Sequence, residues 1–260
     1  MGDIKDSCHR VGMALSLGLI HLYRHPLVST TILPSSINPP AMAPIQFGII
    51  MIPFQMLDVA GPVDVLSSSS IPYLRGFNNP DIADRGIDIE FHYIGDGLHP
   101  VTLPGSFELQ PTITLSACPK LDYLLIGGPS PDYTKNIPPA IANFVRERAN
   151  EVKTVFTTCT GGLFTSMLGL LDGLNATTNH EAIAIAREFA PNVKWTAEKN
   201  WIVDGKFWTA GGACAGMDMM AHWVMENYDK DIAEAGFAAL AYEPRDVNGK
   251  QVVLTKHASK

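Results

Sequence analysis

Between residues 45 and 243 the chain alternates short apolar runs with stretches of helical periodicity. "IQFGIIMI", residues 45–52, is nearly continuous in apolar side chains, the pattern of a strand buried on both faces. "IDIEFHYIG" (87–95) alternates and reads as the next strand; "LDYLLIGG" (121–128) and "VKTVFTT" (152–158) add two more. "DVAGPVDVLSSS" predicts a helix beginning near Asp58 or just after Pro62. "PPAIANFVRERAN" (138–150) opens on prolines and sets Ile141, Phe144 and Val145 at helical spacing. "TGGLFTSMLGLL" predicts a helix with so little polar surface that it must be buried, and "EAIAIAREFA" predicts a further one. "GACAGMDMMAHWVMENY" predicts a long helix entered through Gly211 and Gly212. Two segments read as hairpins: "HPVTLPGSFELQPTITL" (99–115), and "NWIVDGKFWTA", which holds Asp204-Gly205 between β-prone residues.

Strands and helices in alternation argue for a mostly parallel sheet with helices on both faces. The expected organisation is one α/β domain over residues 45–243, an arm and linker over 1–44, and a tail over 244–260. "VGMALSLGLIHLY" (11–23) falls short of the roughly 18 apolar residues that a membrane span needs. Its flank mixes Asp3 and Asp6 with Lys5 and Arg10, and no small-residue cleavage site follows. A segment packing on the body or on a second subunit is preferred to export. The expected setting is therefore cytoplasmic, with no membrane partner.

Charge narrows the field. The 260 residues carry a net charge of -7 with no basic run, which excludes nucleic acid as the expected partner. Of the four cysteines (Cys8, Cys118, Cys159 and Cys214) none forms C-x-x-C or has zinc spacing, so no metal is expected and a reducing compartment fits.

The candidate chemistry centres on Cys159, between a strand and a helix and followed by Gly161 and Gly162. Unpaired N–H groups at a helix start favour a thiolate, and the glycines allow a tight turn and close substrate approach, as in the elbow that carries a nucleophilic serine. Free cysteine is equally at home as a small buried side chain. Asp58 is expected at the carboxyl end of a buried strand, where ligands bind in parallel sheets and where Cys159 also lies. Beside a thiolate its pKa is expected to rise from like charge; on pattern alone a helix cap is preferred. "GGPSP" (127–131) is either a source of backbone donors for an oxyanion or an ordinary turn, and Pro129 has no N–H. His180 is read as a surface or packing histidine, and Cys214 as a small packing residue. Met217, Met219 and Met220 are read as helix core, and the acidic excess as solvated surface.

Taken together, "TTCTGGLFTSMLGLLDGLNATTN", "FQMLDVAGPVDVL", "ACPKLDYLLIGG" and "GKFWTAGGACAGMDM" resemble, in order, motifs of the ThiJ/PfpI superfamily, which is similar to class I glutamine amidotransferases. They cover most of residues 45–225. The L-D-x-x-G-P around Asp58 is most similar to the isocyanide (isonitrile) hydratases. The resemblance implies a flavodoxin-like three-layer α/β sandwich with a nucleophile elbow, a homodimer, and no metal or organic cofactor. It implies a lyase in which Cys159 attacks an isocyanide carbon and Asp58 protonates the adduct. Water then releases an N-formamide from a thioimidate. Gly128, Thr160, Gly161 and Ala213 match its oxyanion and substrate-binding positions. Three departures stand out: Pro129 where a backbone donor is expected, Asn179 where relatives often have histidine, and Gly162 where the elbow has serine. A glyoxalase-like enzyme acting on 2-oxoaldehydes, and a non-enzymatic redox sensor using the same thiolate, are the competing readings.

Overall fold

The computed structural model describes residues 43–77 and 80–252. The arm, its apolar segment at 11–23 included, lies outside the described residues. Within them the chain runs β1 (Ile45–Ile50), α1 (Leu57–Ser68), α2 (Ile71–Gly76), α3 (Pro80–Ala83), β2 (Ile89–Gly95), β3 (Val101–Leu103), β4 (Phe107–Leu109), β5 (Ile113–Thr114), β6 (Tyr123–Ile126), α4 (Pro131–Lys135), α5 (Pro139–Glu151) and β7 (Thr154–Thr158). It continues through α6 (Gly161–Met167), β8 (Asn175–Ala176), α7 (Ile183–Phe189), β9 (Lys194–Trp195), β10 (Trp201–Asp204), β11 (Phe207–Ala210), α8 (Ala213–Asn227) and α9 (Lys230–Ala239).

Seven strands form the central sheet in the order β10-β11-β7-β6-β1-β2-β5. Every pairing in it is parallel except β10 with β11, which is the hairpin expected at Asp204-Gly205. Gly205 turns that hairpin with φ of 58°. Helices flank the sheet, as the alternating pattern implied. The second expected hairpin is β3–β4, a separate antiparallel pair.

The continuous apolar runs became the sheet's interior. All five residues of β7 are buried, and so are three of the four in β6. Aromatic packing joins sheet to helix: Trp223 of α8 meets Tyr123 edge-on at 5.1 Å and Phe156 at 6.2 Å. Phe156 is wholly buried, and truncating a side chain of that kind costs about 3–5 kcal/mol. On α8, Met219 and Met220 are core, and Met217 is partly buried against it.

Several boundaries move. The first strand stops at Ile50, so Asp58 does not end it; Asp58 is the second residue of α1. Helix α6 stops at Met167 rather than running to Leu171, because Gly169 takes a left-handed φ of 75°. Helix α9 had no counterpart in the sequence reading, and it buries Ile232, Ala233, Gly236 and Phe237. Among the described residues no helix is long and apolar enough to cross a membrane.

Candidate active site

Cys159 stands between β7 and α6 with φ of 55°. A non-glycine residue in that region is uncommon and costs about 1–3 kcal/mol, held only where the surroundings determine it. Here both backbone groups are fastened. The Cys159 N–H donates to the Ala210 carbonyl at 3.0 Å. Its carbonyl accepts from the Thr178 hydroxyl at 2.9 Å and from the Asn179 N–H at 3.2 Å. Gly161 is needed for close approach, since a β-carbon there would collide with the Ile126 carbonyl.

Asp58 reaches the same place from α1, and the G-P pair after it explains how. Pro62 has no N–H to give to the carbonyl four residues back, which is that of Asp58. The Thr158 hydroxyl donates to that carbonyl instead, at 2.8 Å. The end of β7 is thereby bonded to the start of α1, one residue from Cys159. The Asp58 side chain does not cap α1. Its Oδ2 accepts from the Gly128 N–H at 2.9 Å, while among the described residues Oδ1 is buried with no hydrogen-bond partner.

The two side chains influence each other. Burial pushes Asp58 up from its ordinary value near 3.8 to about 7, against the lowering influence of the Gly128 N–H and the Cys159 thiol. Burial, rather than like charge, is what raises it. The thiol is also pushed up, first by burial and then by the Asp58 charge. This reverses the expectation of a lowered thiol. Helix α6 has only seven residues, and the donors that favour the thiolate, Asn179 and Thr160, are outweighed.

A cleft of about 720 Å³ opens over the pair. Asp58, Gly128, Cys159, Thr160 and Ala213 line it, whereas Gly161 is buried beneath. Ser130 and Pro131, from the "GGPSP" turn, line it too; Pro53, Gln55 and the β3–β4 tip (Thr102, Leu103 and Pro104) were not foreseen, and nothing in their local pattern marks them. A model of the DJ-1/PfpI family matches residues 50–226. The chain belongs to that family.

Within the DJ-1/PfpI family it is 31% identical over 202 residues to an isonitrile hydratase from Pseudomonas putida, covering 77% of this chain and 79% of that one. It is also 24% identical over 151 residues to the HTH-type transcriptional regulator GbdR from Pseudomonas aeruginosa (strain UCBPP-PA14), covering 58% of this chain and 41% of the regulator. Among solved structures, a ThiJ/PfpI family protein from Pseudomonas syringae matches with a TM-score of 0.65 at 22% identity, covering 85% of this chain and 84% of that one. Drosophila melanogaster DJ-1beta matches at 0.60 and 14%, covering 76% and 98%. These likenesses show the fold.

Measured against the family pattern, the glycine turn is altered. Both backbone groups of Gly128 are engaged, the N–H by Asp58 and the carbonyl by the Gln55 N–H at 3.1 Å. The Thr160 hydroxyl is turned to the Pro129 carbonyl at 2.7 Å. Neither Gly128 nor Pro129 therefore offers a free donor to an oxyanion; the turn orients the acid instead. His180 is exposed, its ring against Gly211. Cys214 is exposed rather than packed. No group of three or more His, Cys, Asp or Glu side chains suited to a metal ion occurs among the described residues.

Proposed function

We propose that the chain is a cofactor-independent hydratase that converts an isocyanide to an N-formamide. The observation that carries this reading is a buried carboxyl, titrating at about 7, placed against a cysteine at a strained elbow. The pair keeps at least one proton at neutral pH, because removing both would leave two adjacent buried negative charges. Cys159 Sγ attacks the terminal carbon, and the S–C bond forms as the thiol proton passes to Asp58. Asp58 then gives that proton to the carbon, leaving a thioimidate. Next, Asp58 takes a proton from water as hydroxide adds to the same carbon, and passes it to nitrogen. The C–S bond breaks, the hydroxyl becomes the formyl carbonyl, and its proton returns to the pair. The sum is isocyanide plus water to formamide.

Negative charge in the first step develops on carbon, next to a proton donor, and calls for no oxyanion site. A 2-oxoaldehyde would develop charge on oxygen, where the engaged Gly128 N–H and Pro129 offer nothing. Apart from Asp58 and Cys159 the cleft is lined by uncharged residues, which suits an uncharged substrate. Supplying an alkyl isocyanide is expected to yield formamide with the wild type and none above background with Cys159→Ala. Absence of turnover in the wild type, or undiminished turnover in the variant, overturns the reading.

A further inference from the structure

We propose that Asn179 is a catalytic residue: its side-chain amide donates a hydrogen bond to Cys159 Sγ and stabilises the charge that sulfur carries as it attacks and as it leaves. The proposal rests on Cys159 being the nucleophile. The amide nitrogen Nδ2 lies 3.2 Å from Sγ, and Asn179 faces the cleft. Its orientation is determined by its other end. Oδ1 accepts from the Glu181 N–H at 3.0 Å, so a flipped amide would set Nδ2 against another donor and Oδ1 against the sulfur. The backbone allows little drift, because the Asn179 N–H is bonded to the Cys159 carbonyl and the Asn179 carbonyl accepts from the Ala182 N–H at 2.8 Å. The donor therefore travels with the nucleophile as one unit.

The chemistry follows from what sulfur can accept. A neutral thiol is a weak acceptor and a thiolate a strong one, so the amide acts on the charged form far more than on the resting form. Asp58 and Asn179 thus act on the sulfur with opposite signs. A charged Asp58 disfavours the thiolate, and the amide favours it. With one proton between Asp58 and Cys159, the amide tilts the pair toward a neutral acid and a charged sulfur, the arrangement needed for attack. An amide does not titrate, so its donor is present at every pH and acts wherever the sulfur is charged. The neighbouring His180 does not supply it, because its ring lies against Gly211.

Iodoacetamide alkylation of the full chain, followed against pH with the Cys159 peptide resolved by mass spectrometry, reads the thiolate directly and needs no isocyanide. In Asn179→Ala the midpoint of the Cys159 profile is expected to rise by about one pH unit or more, with a roughly tenfold or greater loss of alkylation rate at pH 7, the size of a hydrogen bond to a charged group. Asn179→Asp keeps the shape and the acceptor for the Glu181 N–H but turns a negative oxygen to the sulfur, and its midpoint is expected to rise further. It also stands in where the alanine variant fails to fold. Profiles within a few tenths of a pH unit of wild type in the folded variants overturn the proposal. A wild type that alkylates with the expected dependence on Asn179 but does not hydrate isocyanides upholds this proposal and refutes only the substrate.

Discussion

Among the described residues two aspartates are sealed inside the fold, and they are treated in opposite ways. Asp218, on α8, is 1% exposed and fully occupied. Its Oδ1 accepts from the Tyr242 hydroxyl at 2.5 Å and from the Arg245 N–H at 3.0 Å, and Oδ2 accepts from Arg245 Nε at 3.0 Å. Asp58 is wholly buried, yet among the described residues it has one backbone donor and, beyond that, only the Cys159 thiol beside it. A buried carboxylate is costly unless paired and hydrogen-bonded. Asp218 meets that condition and fastens residues 242–245 to α8. Asp58 does not meet it, and its unmet demand appears as affinity for a proton. Burial alone therefore does not distinguish a structural acid from a reactive one; the count of donors does.

The contrast is sharpest in activity. Asp58→Asn keeps an oxygen for the Gly128 N–H but removes the proton carrier, so isocyanide turnover is expected to fall about 10²–10⁴-fold, the range for a lost general acid–base group. Steady-state kinetics beside a thermal melt would decide it, and a melt that collapses along with the activity would make Asp58 structural after all. A smaller effect is expected in stability against pH. The Asp58 value rises from near 3.8 to about 7 on folding, so the folded state binds the proton more tightly. Its favourable contribution is complete below about pH 4 and is lost as pH climbs through about 7, by about 4 kcal/mol. Relative to Asp58→Asn, the wild type should lose stability across that window and hold level above it. A constant difference between the two proteins from pH 4 to 8 would remove burial as the cause.

Much of this was legible in the chain. Continuous apolar runs announced a doubly covered parallel sheet, because strands with helices on both faces have no polar side to show. The elbow was legible because a strand, a cysteine and two glycines leave few alternatives. The partnering of Asp58 was not. Pattern preferred a helix cap, since local propensity cannot see Gly128, seventy residues on, donating to that carboxylate. Nor could it see that Pro62 frees a carbonyl for Thr158. The direction of the thiol shift was missed for the same reason: helix position is written locally, while burial is a property of the whole fold. Asn179 was marked as a departure from the family pattern, but its bond to the sulfur depends on a backbone path that returns twenty residues later. Helix α9 was missed although its signal was there: Ile232, Ala233, Gly236 and Phe237 stand at i, i+1, i+4 and i+5, one buried helical face.

The smallest expected effect tests the structural member of the pair. Tyr242→Phe preserves the ring and its edge-on contact with Phe237 at 5.9 Å, and deletes only the hydroxyl that donates to Asp218. That phenol is pushed well above its ordinary value, by burial first and by Asp218 second, so it remains a neutral donor at any pH of interest. Removing it leaves Asp218 with both Arg245 bonds, and a hydrogen bond to a charged group is worth about 1.5–3 kcal/mol. Because Arg245 is about half exposed and water can approach, the low end applies, and a loss of about 1–2 kcal/mol is expected in urea unfolding with an unchanged slope. Turnover should stay within a factor of about two of wild type, since Asp218 itself does not line the cleft. A loss of activity with no loss of stability would reverse the roles of the two aspartates: the fully satisfied one would then be serving the site, by setting where α8 begins and so where Ala213 lines the cleft.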